Sequence, residues 1–502
     1  MRRFPVPSIA WIYQKIIVVG RIKRCPPSVQ RLIRSFALVL ITSLLGSIVC
    51  AENSDSFTSV EASAEAVGGD ARRGLRLLLE TPLIPSDFDQ ETFDAVWQSW
   101  PEPLRSRAEQ STPEIRRQMA FERYGLTPRP AGLRDVDDRP DERPMQYVVD
   151  DQGRWTMNCL ACHGGMVDGQ PSPGAPNNRF ALQTFTEEIR ATKWILGKPL
   201  ARMDLGAMVI PLGSTHGTTN AVVFGMGLMH YRDAELNFQP KIPGKFTHHD
   251  MDAPPWWHFA KRPYIYIDGF AAKGHRGLMQ FMLVPENGPT FFSDHEDDFR
   301  DVYAYLSSLT PPKFEGEIDT AVARQGKVLF EEHCARCHGT YGTDGTYPNQ
   351  RVPIDDIGTD RVRFDALSVS GRQKYADSWF AKTETPERRS IAAPDGYVAP
   401  PLDGIWASAP YFHNGSVPTL WGVLNPEQRP AVWRSDRLEF DSRDIGLRHE
   451  VVDQVPVIVS DAAVRRTYFD TRLPGKSRTG HDYPDVLTDL EKRAVLEYLK
   501  TL

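Results

Sequence analysis

The chain has 502 residues, with 59 Lys and Arg against 65 Asp and Glu, 13 His, six Cys and a formal charge of −6. That length holds more than one domain, and an acidic balance disfavours nucleic acid as a partner, since nucleic acid rewards basic patches. Four of the cysteines fall in two Cys-X-X-Cys-His runs and the other two, Cys25 and Cys50, lie in the N-terminal stretch. No disulfide framework is therefore expected in the mature chain.

Residues 1–51 carry eight Lys or Arg and no acid, and residues 36–49 form a mainly apolar run, short for a membrane span. Small residues at Val49-Cys50-Ala51 offer a cleavage point, so 1–51 reads as a secretory signal peptide or an uncleaved N-terminal anchor. The expected compartment is periplasmic or secreted, and any membrane contact runs through this segment alone. The 59 bases less those eight leave 51 against 65 acids, a mature charge of −14 that suits solubility and a basic redox partner.

Residues 52–74, rich in Ser, Glu and Ala, read as a flexible linker. Residues 75–144 carry helical periodicity with Trp97 and Trp100 and read as a helical extension, closed by the charged, proline-bounded stretch 135–144.

Cys159-Leu-Ala-Cys162-His163 lies in the expected first haem domain, 145–310. This is the c-type haem attachment signature: two thiols form thioethers to the ring vinyls and the histidine ligates the iron. Thr310-Pro311-Pro312 opens a linker over 311–317, because tandem prolines stop a helix. The second signature, Cys334-Ala-Arg-Cys337-His338, lies in the expected second haem domain, 318–502, with a loop-rich insertion from about 340 to 410. Two covalent haem c groups are therefore expected. A four-cysteine zinc site is the bland alternative, but the motifs are 175 residues apart and each carries a histidine that such a site does not need.

Residues 326–330 run into the second motif and resemble the helix that opens class I cytochrome c domains. Residues 297–309 and 490–502 coincide at valine, tyrosine and two leucines when shifted by 193 (Val302/Val495, Tyr305/Tyr498, Leu306/Leu499, Leu309/Leu502), which reads as an internal duplication. The expected fold is mainly α, with two class I cytochrome c-like haem domains in tandem, long loops and an N-terminal helical extension.

What stands across the iron from each histidine decides the chemistry. All twelve Met lie at or before Met282, so none follows His338. The later histidines are His413, His449 and His481, and haem 2 is bis-histidine, open, or capped from the other domain. His481, in the loop before the last helix, is the favoured ligand and His413 the second choice; a hydrogen bond to a propionate or to backbone is the structural alternative for either. For haem 1 the candidates are His275, Met279 and Met282. Trp256 and Trp257 are candidates for ring stacking or electron relay, and Phe270 and Phe281 for the wall of a dry pocket.

Ala409-Pro-Tyr-Phe-His413-Asn-Gly-Ser416 resembles a stretch of the dihaem cytochrome c peroxidase and methylamine-dehydrogenase maturation superfamily. In the peroxidases a methionine ligand follows that histidine by about fourteen residues; Glu427 stands at that place here. Asn158-Cys-Leu-Ala-Cys-His163-Gly-Gly, Trp256-Trp257, the Gly274-His275-Arg276 to Met282 run and Gly480-His481-Asp-Tyr483 are similar to the rubber-oxygenase-like branch. That resemblance implies a first haem that binds dioxygen and a second that is bis-histidine, its distal ligand near the C-terminus, which again points to His481. The resulting expectation is an exported redox enzyme, oxygenase-like or peroxidase-like, acting on dioxygen or hydrogen peroxide with a redox partner protein. Haem 1 would be the reactive centre, with Trp256, Trp257, Phe270 and His275 as its candidate catalytic residues. The alternative is a non-catalytic dihaem electron-transfer cytochrome.

Overall fold

The structure, a computed structural model, describes residues 68–133, 143–241, 247–382, 388–435 and 438–502. The expected leader, most of the expected linker and nearly all of the charged stretch 135–144 lie outside the described residues. The first described helix, Ala71–Glu80 (α1), begins inside the stretch read as linker.

The mainly α expectation is corrected. Among the described residues the structure is mixed, 42% helix and 12% strand, with several two- and three-stranded antiparallel sheets, and nothing in them marks out a tandem pair of helical class I domains. The reason is local. Short runs close on tight turns: Gly164–Val167 pairs with Gln170–Pro173 across Asp168 (φ 52°) and Gly169 (φ 73°). Both turn residues are left-handed, the geometry that an Asp-Gly hairpin turn requires.

The region read as a helical extension is also mixed. Phe88–Asp89 (β1), Tyr147–Val149 (β2) and Arg154–Met157 (β3) form one sheet in the order β1-β3-β2. This sheet joins the extension to the residues just before the first motif. Pro113–Tyr124 (α2) starts on a Thr112 cap and stops at Gly125, which is left-handed at φ 63°. The first motif occupies the short helix Leu160–His163 (α3), followed by Leu182–Leu196 (α4). Phe93 and Trp155 stack at 4.3 Å inside the aromatic core that α2, β3 and α4 enclose.

Glu296–Ser308 (α5) packs across α1 at Gly74, where a Cβ would overlap the carbonyl oxygen of Asp301. Asp301 also accepts from the N–H of Asp70 at 2.6 Å and pairs with Arg73. Thr320–His333 (α6) runs into Ala335–His338 (α7), and the last helix, Asp489–Leu499 (α8), crosses α6 at Gly326. There a Cβ would overlap the carbonyl oxygen of Ala494. Asp301 and Ala494 are 193 residues apart, the same shift that aligns the two closing helices. The partner of the first closing helix thus lies about 80 residues before its motif, not beside it.

Val432–Arg434 (β4) lies between Glu450–Val451 (β5) and Tyr468–Asp470 (β6), and the buried Trp433 and Phe469 stack at 5.3 Å beneath the last loop. The prolines read as a linker are packed: Gly404 faces Pro311 and Pro312, and Trp406 donates to the Pro312 carbonyl at 2.9 Å.

Candidate functional site

Asn158, just ahead of the first motif, ties it to two neighbours: its side-chain amide donates to the carbonyls of Leu78 in α1 and Met145. Its side-chain oxygen accepts from the N–H of Leu160 at 2.9 Å and so starts α3. His163 Nδ1 lies 3.0 Å from the carbonyl oxygen of Pro254, and its ring stacks on Trp256 at 4.7 Å. At the second motif, His338 Nδ1 lies 2.8 Å from the carbonyl oxygen of Pro400. Each acceptor is the first proline of an Ala-Pro-Pro triplet, 253–255 and 399–401.

A carbonyl only accepts, so each ring carries its proton on Nδ1 and keeps the Nε2 lone pair free. None of the described residues hydrogen-bonds the Nε2 of either ring. Burial holds the His163 pKa down at about 4 and lowers that of His338, so both rings are neutral at physiological pH. The four motif cysteines are unpaired thiols, and burial pushes Cys159 and Cys334 up to about 11 and Cys162 to about 12. Among the described residues no three His, Cys, Asp or Glu converge as a metal site would require.

The two histidines differ in what faces them. His481 stands across from His338 with ring centroids 6.1 Å apart. It comes from a loop in which Gly480 and His481 are both left-handed (φ 77° and 54°), and its N–H donates to the Ile357 carbonyl at 2.7 Å. Burial lowers its pKa to about 3. His413 turns elsewhere, with its ring against Tyr397 at 4.7 Å and its Nε2 buried without a hydrogen-bond partner. His449 hydrogen-bonds the Leu447 carbonyl through Nδ1.

Across from His163 there is no second imidazole among the described residues, which include all 13 histidines. His275 is engaged by Glu296, 3.0 Å from its Nε2. His258 Nε2 donates to the Asp403 carbonyl at 2.8 Å. Met279, Met282 and Phe270 are buried in the apolar cluster that also holds Leu160 and Trp256 and packs against Cys159, whereas Phe281 is partly exposed. Phe270 stacks on Tyr266 at 5.0 Å.

The two triplets are tied together. Trp257 Nε1 donates to the Asp403 carbonyl at 2.8 Å, beside the His258 bond to the same oxygen. Lys261 pairs with the Asp403 carboxylate at 2.7 Å. Gly404 (φ 60°) lies against Trp257 Nε1 with no room for a Cβ. Pro254, Pro400 and Asp403 were not singled out from the sequence; the repeated Ala-Pro-Pro was the available signal. Carbonyls in prolyl, extended backbone have no helix or sheet partner and are free to take a side-chain donor.

Residues 396–434 match the family model described as RoxA-like, cytochrome c-like. That stretch is similar to a cytochrome c-like domain, a kind of domain that holds haem c covalently. The chain is 32% identical over 239 residues to the uncharacterized protein y4iM of Sinorhizobium fredii, covering 39% of this chain and 52% of that one. It is 29% identical over 263 residues to y4iJ of the same organism, covering 39% of this chain and 42% of that one. The chain thus spans about half the length of the curated relatives it matches. Among solved structures, hydrazine synthase of Kuenenia stuttgartiensis overlaps 56% of this chain and 87% of its own at 15% identity and a TM-score of 0.26, too loose to carry an argument.

The residues fit haem c. Both motif histidines and all four cysteines are only partly covered, and each histidine keeps Nε2 free. A metal–imidazole bond is about 2 Å and the ring centre lies about 1 Å beyond the nitrogen, so two imidazoles on one iron have centres about 6 Å apart. The His338–His481 separation of 6.1 Å matches.

Proposed function

We propose that the protein is an exported dihaem c-type cytochrome acting as a redox enzyme, in which His163 serves an open, reactive site and His338 with His481 serves a closed, electron-transferring one. The observation that carries this reading is the asymmetry just described: an imidazole across from His338 and none across from His163. When bound on the His163 side, haem c would supply iron redox chemistry toward dioxygen or hydrogen peroxide.

The chain's own residues do the rest. Cys159, Cys162, Cys334 and Cys337 anchor the two rings. Pro254 and Pro400 orient the ligating imidazoles and, by accepting from Nδ1, make Nε2 a stronger donor. Trp256 and Trp257 relay electrons between the sites: the first lies on His163 and the second bonds Asp403, three residues past Pro400. Phe270, in the apolar cluster that reaches Cys159, keeps the reactive side dry. The oxidised substrate and the electron-supplying partner protein are met outside the cytoplasm, where haem c is attached.

Electron paramagnetic resonance of the haem-loaded protein tests this. One high-spin and one low-spin ferric signal are expected, with the low-spin one lost in His481→Ala and kept in His413→Ala. Two low-spin signals would replace the enzyme reading with that of an electron carrier.

A further inference from the structure

Arg429 is almost fully buried, 3% exposed, yet no carboxylate lies within hydrogen-bond distance of it. The nearest, Asp482, is 3.9 Å away and exposed. Its guanidinium instead meets backbone carbonyls. Nε donates to Gly422 at 2.9 Å, Nη1 to Arg478 at 2.8 Å and Gly480 at 2.6 Å, and Nη2 to Val423 at 3.2 Å and His481 at 3.4 Å. A guanidinium has five N–H groups in a fixed fork, and here five carbonyls take them. Three of those carbonyls belong to the loop 478–481.

That loop needs holding. Left-handed backbone is disfavoured for a residue with a Cβ, and His481 adopts it directly after the left-handed Gly480. The guanidinium also lies 4.9 Å from the Phe412 ring, which is itself 6.1 Å from the His481 ring. Arg429 therefore grips the backbone beneath His481 and, through Phe412, backs its side chain.

We infer that Arg429 is the positioning residue of the second site: it fixes His481 across from His338 and places a buried positive charge, countered only from the surface by the exposed Asp482 at 3.9 Å, beside that pair. This rests on the proposed reading of His481 as a ligand. A positive charge in a low-dielectric setting favours the iron state of lower charge, so Arg429 raises the reduction potential of that site. A buried arginine that served only to fill space would set neither ligation nor potential.

The test compares Arg429→Gln, Arg429→Lys and His481→Ala in the haem-loaded protein, with haem stoichiometry measured for each. Arg429→Gln is expected to lose the low-spin ferric signal several-fold, to regain it on adding imidazole, and to show a lower potential for the restored site. Arg429→Lys keeps the charge but not the fork, and is expected to lower the low-spin fraction while leaving the potential close to that of the wild type. If Arg429→Gln fails to load haem, Arg429→Lys alone decides. A wild-type spectrum and potential in the deciding variant would overturn the assignment of Arg429. A low-spin signal that survives His481→Ala would instead overturn the ligand reading on which it rests.

Discussion

Gly326 in α6 lies directly against the carbonyl oxygen of Ala494 in α8, and Gly74 in α1 lies in the same way against Asp301 in α5. The absence of a side chain at each crossing lets two helix backbones touch. Gly326→Ala forces those backbones apart, and overpacking of this kind costs about 1–3 kcal/mol. A fall of several degrees in the circular-dichroism melting midpoint is expected, with the haem content unchanged. An unchanged midpoint would mean that the crossing relaxes without cost.

The stack of Trp256 on His163 makes a second expectation. Trp256→Phe keeps an aromatic ring but withdraws the larger indole surface. Haem content should stay at the wild-type value while electron exchange between the two sites slows several-fold, read by following each haem's spectrum after flash reduction. Equal rates would remove Trp256 from the relay.

Asp87 is half-buried beside β3, where its carboxylate accepts from the Met157 N–H at 3.2 Å. Burial pushes its pKa up from 3.8 to about 7, against the opposing pull of that bond and of Lys193. The folded state then holds this proton more tightly than the unfolded chain. Its stabilising contribution is complete below pH 3.8 and is lost as pH rises to about 7. Asp87→Asn should remove that loss and raise stability at pH 8 by on the order of a few kcal/mol. Melting midpoints of both proteins from pH 4 to about 8 check this; parallel curves would exclude Asp87 as the source.

Cys159→Ala and Cys334→Ala address the two attachment sites separately. Each variant should carry half the wild-type haem by pyridine haemochrome assay. Cys334→Ala should weaken the low-spin signal and Cys159→Ala the high-spin one. Full haem content in either variant would remove that motif from attachment.

The parts of the molecule visible in its sequence are those fixed by short-range chemistry. The two Cys-X-X-Cys-His runs are contiguous, and the lack of any methionine after His338 left three histidines from which His481 stood out by its place before the last helix. The closing helices at 296–308 and 489–499 showed in their apolar spacing. The rest depends on partners distant in the chain. Residues 71–74 look like polar linker until α5 supplies the surface on which Gly74 rests. Strands of two residues, such as Phe88–Asp89, have no periodicity to read and exist only because Trp155 and Arg154 lie opposite them. The carbonyls of Pro254 and Pro400 carry no side-chain chemistry at all, and Arg429 looks like an ordinary surface charge until five carbonyls surround it.

The double bond to the Asp403 carbonyl, from Trp257 and from His258, has a mechanical consequence. The backbone that orients His163 and the backbone that orients His338 are riveted at one oxygen, with prolines stiffening both sides. Neither motif can loosen without disturbing the other's imidazole. Heating should therefore melt the two halves as one cooperative unit, with a single heat-capacity peak rather than two.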